Sequence, residues 1–452
     1  MSGQLLCGAS KVKITPSEEL LPFQFGLIGQ QYGRVHDDLF LRVVALESNG
    51  RRALIVVYDL DKAPYPAEWL SWLAEQTGVE ENYIFYTAIH THTAPLTGYR
   101  PFEGPNFIEQ KPPQVQEKVH LYEAFLKDSL LRAAREALGN LTPARMGFAT
   151  GECRLGVNRC QEYVVRTSSS EELSELNIGV NLEEKPDPTL LVVRFENAEN
   201  RKTIALLTNY AVHCVAVFQN TCDDGKAFLS ADIGGAVSVQ LEKQYPGCVA
   251  LWTSAPAGDV NPGIMVQNFA PNPETGAPET IYISGEAAAD AILRIASQRQ
   301  LDAIARTMPY VHCNIEKAPV SAKTEWAVTQ CAPGGFGVEN PKWRDYEIRL
   351  HRLQIGELAF VGVDGELYTS LGQAIQKVSP VKNTFVVNHE CSLLLNNPGY
   401  IMDDATQERL ARFSGRGAQK GGIPGGGTLT KPGTVKAALE DATKRLFEEE
   451  HV

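Results

Sequence analysis

The chain has 452 residues, 43% hydrophobic and 21% charged, a balance that folds, at a length beyond which one compact core usually stops growing. Its 42 basic and 54 acidic residues leave a formal charge of -12, so its field repels nucleic-acid phosphates and anionic lipid surfaces and argues against both as partners. Nine cysteines without a C-x-x-C pair suit reduced thiols better than a disulfide framework or a cysteine-bound metal.

No apolar run reaches the ~18 residues of a membrane span. The opening MSGQLLCGASKVKITP lacks the basic start and apolar stretch of a signal peptide. The expectation is a cytoplasmic protein acting on a small molecule, away from membranes and nucleic acid, with homo-oligomerisation left open.

Short apolar runs rich in β-branched and aromatic residues predict strands at 40–46, 53–58, 83–89, 190–195, 203–208 and 249–252. Helical periodicity falls between and after them, at 66–76, 116–138, 233–244, 284–299 and 434–450. This interleaving predicts an α/β fold, a layered mixed sheet flanked by helices. Residues 1–305 read as the main catalytic body. From about 308 the runs PYVHCNIEKAPV and YEIRLHRLQIGELAFVGVDG look antiparallel, so 306–452 reads as a smaller β-rich extension. The Pro- and Gly-rich segment 96–114 reads as a rim over a site, with Tyr99, Arg100, Phe102, Glu103 and Asn106 suited to a compact polar ligand. The Gly-rich run 414–427 lacks the Lys-Ser/Thr ending of a phosphate loop and reads as low-complexity loop. No internal repeat is visible in the residues.

The chemistry-bearing residues gather at predicted strand ends. His90 and His92 follow YIFYTAI two residues apart, a spacing that lets both imidazoles share one face and reach one ion or one substrate. His213 follows TIALLT in the same way, at the edge of an α/β sheet where sites collect. Each histidine alone also fits a hydrogen-bonded polar residue. Together they suit a zinc site, which takes imidazole and carboxylate ligands and keeps one position open for water. Glu366, in Asp364-Gly365-Glu366-Leu367, sits at a strand-to-helix junction and equally fits a helix N-terminal charge. Tyr400 follows another β-like stretch and also fits an ordinary turn tyrosine. Ser230 and Asp232 open a helix as natural caps, and Asp259 lies in a small-residue loop whose backbone can approach a ligand closely.

In their order along the chain, these motifs resemble the neutral/alkaline non-lysosomal ceramidase family in its N-terminal catalytic domain. The matching stretches are GASKVKITP, VHDDLFLRVVAL, IHTHTAP, GVNRC, DPTLLVVRF, NYAVH, SADIG, AGDVNP and DGEL, spread over roughly residues 8–405. The resemblance implies a zinc amidohydrolase holding one ion, with His90, His213, Glu366 and Tyr400 as ligands. It places His92 beside the ion to hydrogen-bond water or substrate, and Arg159 as a substrate contact or oxyanion stabiliser. Ala255 stands where the family carries a serine, with Ser254 one position away. The expected activity is attack by metal-activated water on an amide or ester-like carbonyl of a small soluble substrate. Two alternatives stay open: a zinc enzyme acting on a carbohydrate or glycoside-type metabolite with Asp232 and Asp259 as acid and base, or a metal-binding homologue without turnover.

Overall fold

Each of the six apolar runs forms a strand and each periodic segment a helix in the computed structural model, which describes residues 3–98, 108–222, 224–333, 342–390, 399–413 and 428–448. Tyr99, Arg100, Phe102, Glu103 and Asn106 of the expected rim, and the Gly-rich run 414–427, lie outside the described residues.

One arrangement recurs three times along the chain. Two antiparallel strands lead into a third, a helix crosses over, a fourth strand pairs parallel to the third, and a later helix covers the first two. In the first unit the strands are Leu6–Lys13, Phe40–Ser48, Arg51–Tyr58 and Ile84–Ala88, with helices Pro66–Thr77 and Pro113–Gly139. In the second they are Thr142–Glu152, Thr189–Asn197, Thr203–Tyr210 and Val249–Ser254, with helices Asp232–Gln244 and Glu286–Thr307. In the third they are Val320–Pro333, Arg344–Ile355, Leu358–Val363 and Asn383–Val387, with helices Thr369–Val378 and Val435–Phe447. The covering helices dock alike: each packs on the first strand of its own unit and on the second.

What repeats is connectivity, and each unit meets its demands with different residues. The central hairpin of the first unit turns through Asn49-Gly50, both at positive φ (53° and 75°), as a tight hairpin of matching twist requires. The third unit uses Gly356-Glu357 between paired Ile355 and Leu358. The third strands (ALIVVY, TIALLTNY and LAFVGV) are buried almost throughout, because helices and neighbouring sheet cover both faces, and they therefore read as apolar runs rather than alternations.

The first two units share one eight-stranded sheet, but they join only where Leu6 and Cys7 pair with Pro143 and Thr142. The sheet folds over at that corner. Strand Val249–Ser254, at one end of the strand order, consequently packs against Phe40–Ser48, Arg51–Tyr58 and Ile84–Ala88, the last of which is the opposite end. Beyond the strands the closure is direct: Thr91 bridges Cys214 in parallel, and the His92 amide donates to the Cys214 carbonyl at 3.3 Å. A buried ion cluster pins the same fold, with Arg42 donating to both oxygens of Asp59 (2.9 and 2.8 Å) and to Glu242 (3.0 Å) on the second unit's crossover helix. Among the described residues no helix is long and apolar enough to cross a membrane.

Candidate metal centre

Folding the sheet over brings the ends of the third and fourth strands together, and the site is built from the residues just past them. Asp61, His213 and Glu366 each lie three residues beyond the third strand of their unit, after Tyr58, Tyr210 and Val363. His90 and His389 each lie two residues beyond a fourth strand, after Ala88 and Val387. Both of these histidines adopt the left-handed backbone conformation, at φ 62° and 61°. That conformation is uncommon outside glycine and collects at functional sites.

His90 is held through Nδ1, which lies 3.0 Å from the Asp61 carbonyl and 3.1 Å from its carboxylate. Its Nε2 faces inward, 3.4 Å from Glu366 Oε2 and 3.1 Å from His92 Nε2. His213 repeats the device. Its Nδ1 is 3.1 Å from the Val260 carbonyl, while Nε2 lies 3.3 Å from Glu366 Oε2 and 3.4 Å from the Tyr400 hydroxyl. A ring whose Nδ1–H donates to a carbonyl presents the Nε2 lone pair on its other side, the usual arrangement of a metal-ligating histidine. Tyr400 reaches the cluster because the short strand Tyr400–Ile401 pairs parallel with Glu366–Leu367, in a register that sets Tyr400 beside Glu366.

Two donor groups, His90-His92-His213 and His90-Glu366-His389, each keep their ligand atoms within 4.8 Å of one another. Burial works against charge on His90, but the Glu366 and Asp61 carboxylates outweigh it and lift its pKa to about 10. Burial also opposes the Glu366 carboxylate, and the His90 charge, with the close approach of the His213 and His90 rings, holds it well below the usual range. Burial, then the Arg159 charge, pushes His213 down to about 4. Burial, then the His90 charge, keeps His92 and His389 well below the ordinary histidine range. Two carboxylates, Glu366 and Asp61, thus face the His90 ring, while protonation of His92, His213 and His389 is disfavoured. Neutral imidazole nitrogens, a carboxylate and a phenol, buried and without a thiolate, fit a zinc-like ion.

No protein-family model and no curated protein matches the sequence. Among solved structures, the neutral ceramidase from Pseudomonas aeruginosa matches with a TM-score of 0.69 at 18% identity, over 99% of this chain and 76% of that one. A ceramidase complexed with C2 matches with a TM-score of 0.69 at 15% identity, over 98% of this chain and 75% of that one. The chain has the neutral ceramidase fold.

Within that ceramidase fold, Arg159 points its Nη2 at His213 Nε2 across 3.3 Å, with its guanidinium 5.1 Å over the Tyr400 ring. The rest of the group is committed: Nε and Nη2 donate to the Gly258 carbonyl and Nη1 to Asn261 Oδ1. Gly258 earns its place by close approach, since a Cβ there would meet the Glu366 carbonyl at 2.6 Å. Asp232 and Asp259 sit apart from the donor groups. Asp232 accepts from the amides of Ala216, Val217 and Ile233, and Asp259 from the amide and hydroxyl of Thr369 and from Asn158. Each spends both carboxylate oxygens on structural hydrogen bonds. Ser254 is buried, and its hydroxyl donates to the Ala255 carbonyl at 3.1 Å.

Sequence reasoning missed Asp61 and His389. The signal was present, because DLD after ALIVVY and NHE after TFVV put titratable groups just past apolar strands, as AIH and NYAVH do.

Beside the centre lies a groove of about 590 Å³ lined by polar groups, among them Gln30, Gln31, Gln219, Tyr282 and the cationic Lys226. The Tyr32 hydroxyl joins it to the site, within 3.2 Å of both Gln30 Oε1 and the His92 carbonyl. Phe218, next to Gln219, packs its ring edge to face against His92 at 4.9 Å.

Proposed function

We propose that the protein is a zinc-dependent hydrolase that cleaves an amide or ester-like bond of a small, polar substrate. The observation that carries this reading is the convergence of His90 Nε2, His213 Nε2 and Glu366 Oε2, with both Nδ1 atoms taken up by backbone carbonyls. His90, His213, Glu366 and Tyr400 would hold one ion. When bound, that ion supplies a Lewis acid, which polarises a carbonyl and makes water acidic near neutral pH.

The residues around the ion divide the remaining work. Burial removes bulk water, so each fixed charge and dipole acts at full strength. His92, neutral and 3.1 Å from the inward nitrogen of His90, can take a proton from the attacking water at Nε2 and pass it to the leaving group. Hydrolysis adds the hydroxyl to the carbonyl carbon and that proton to the departing nitrogen or oxygen. Arg159 keeps a positive charge beside His213 and Tyr400, positioned to favour negative charge developing on the carbonyl oxygen. The groove, lined by amide and hydroxyl groups with the Lys226 ammonium, supports a polar substrate. The glycoside alternative draws no support from Asp232 and Asp259, whose oxygens are occupied.

Protein purified without chelator should carry one zinc per chain and hydrolyse some member of a panel of short soluble N-acyl amines and esters. Chelation should abolish the activity and zinc should restore it. Metal-free protein with full turnover would overturn the reading, and cleavage confined to a fluorescent ceramide in detergent would overturn the polar substrate.

A further inference from the structure

The face of His90 opposite to any use as a ligand is covered by a second imidazole. His389 stacks on it with ring centroids 3.8 Å apart and planes 15° apart. It arrives by the same backbone route, two residues past a fourth strand and left-handed, but from the third unit. We propose that His389 contacts the substrate at this site, offering an imidazole nitrogen to the group being cleaved, and is not a further ligand of the ion. The proposal rests on the metal-hydrolase reading above.

The stacking geometry decides against ligation. An imidazole lone pair lies in the ring plane, so a ligating ring holds its ion in that plane at about 2.0–2.1 Å. Two nearly parallel rings stacked face to face cannot both place the same ion in their planes. His90 has its Nε2 beside Glu366 and its Nδ1 on Asp61, so the ion belongs to His90. One nitrogen of His389 nevertheless lies within 4.8 Å of the His90 and Glu366 ligand atoms, which is next to where a coordinated group would sit.

His389 Nε2 is buried without a hydrogen-bond partner among the described residues. A buried polar atom left unpaired is destabilising, and the left-handed backbone adds strain. The surroundings hold it in place regardless. Thr87 Oγ1 donates to the His389 carbonyl at 3.2 Å, and the His389 amide donates to the Gly365 carbonyl at 3.2 Å. Glu390, its neighbour, is clamped by Arg349 at 2.6 Å and His351 at 2.8 Å. A strained, anchored residue that keeps a free polar atom beside a donor cluster is arranged for a ligand it does not yet hold.

The test uses zinc and acetohydroxamate, a small carbonyl mimic that binds zinc, with wild-type protein and the variants His389→Phe, His389→Gln and His90→Ala. His389→Phe keeps a ring for the stack and removes both nitrogens, while His389→Gln keeps a polar group without the ring. Zinc content and affinity are read by chelator competition, and acetohydroxamate affinity by calorimetry on zinc-loaded protein. His389→Phe should keep one zinc with affinity close to wild type and bind acetohydroxamate about tenfold more weakly, the loss expected of one hydrogen bond in a buried site. His389→Gln should recover part of that loss, and His90→Ala should lose the zinc. Loss of zinc from His389→Phe would make His389 a ligand, and undiminished acetohydroxamate binding by the zinc-loaded variant would make it a packing residue; either result overturns the proposal alone. Wild-type protein that takes up no zinc would overturn the metal reading and this proposal with it.

Discussion

Asp61 grips His90 twice, with its carbonyl 3.0 Å and its carboxylate 3.1 Å from the same Nδ1. A partner of that kind fixes the ring and raises the basicity of the opposite nitrogen, and losing it typically costs 10–100-fold in metal affinity. Asp61→Ala should therefore lower zinc affinity by roughly that factor while the protein stays folded. Chelator competition measures it, and unchanged affinity would leave Asp61 a bystander.

His90, His213 and His92 should separate by metal content. His213→Ala and His90→Ala should lose the ion, because each removes an inward Nε2 held in the donor cluster. His92→Ala should keep it and lose turnover, since its Nε2 faces His90 Nε2 across 3.1 Å and its Nδ1 has no partner among the described residues to fix the ring as a ligand. Elemental analysis of the three variants decides it; equal metal in His213→Ala and wild type would remove His213 from the site.

Asp232 gives the protein a pH-dependent stability. Burial raises its pKa from 3.8 to about 6 in spite of three backbone amides that favour the charged form. Between those values the folded state binds the extra proton, so this contribution to stability is full below about pH 4 and is lost as pH rises through about 6. The shift amounts to roughly 3 kcal/mol. Asp232→Asn cannot titrate, so its stability relative to wild type should move in the variant's favour by up to that amount between about pH 4 and pH 7. Denaturant midpoints taken across this range provide the comparison, and a constant difference would mean Asp232 titrates alike in both states.

Glu390 closes a buried charge cluster with Arg349 and His351, and it is fully buried itself. Removing one partner of such a cluster leaves a buried charge poorly compensated, which costs about 3–5 kcal/mol. Glu390→Ala should destabilise the fold on that scale, and Glu390→Gln by less. Urea denaturation reads both, and a loss below about 1 kcal/mol for the alanine variant would show that solvent reaches the cluster.

The elements were legible because periodicity is a local property. ALIVVY, TIALLT and LAFVGV announce buried strands, and the helices between them announce crossovers. His90 and His213 were legible as strand-end histidines for the same reason. The threefold recurrence was not, because it lives in pairing and order while the residues filling each position differ: the hairpin turn is Asn49-Gly50 in one unit and Gly356-Glu357 in another. Nor could spacing reveal that Asp232 and Asp259 have no oxygen to spare, since that depends on the amides of Ala216, Val217 and Thr369, brought in by folding. His389 was passed over because its neighbours carry no H-x-H signature, and only the stack on His90 gives it meaning.

The three units also set an order of events during synthesis. His90 and Asp61 leave the ribosome with the first unit and His213 with the second, yet Glu366, His389 and Tyr400 emerge only with the third. A nascent chain can pair its early strands long before it owns a complete set of donors. On the metal reading proposed above, tight capture of an ion would wait until the third unit docks, and a bound ion would report that all three units are in place.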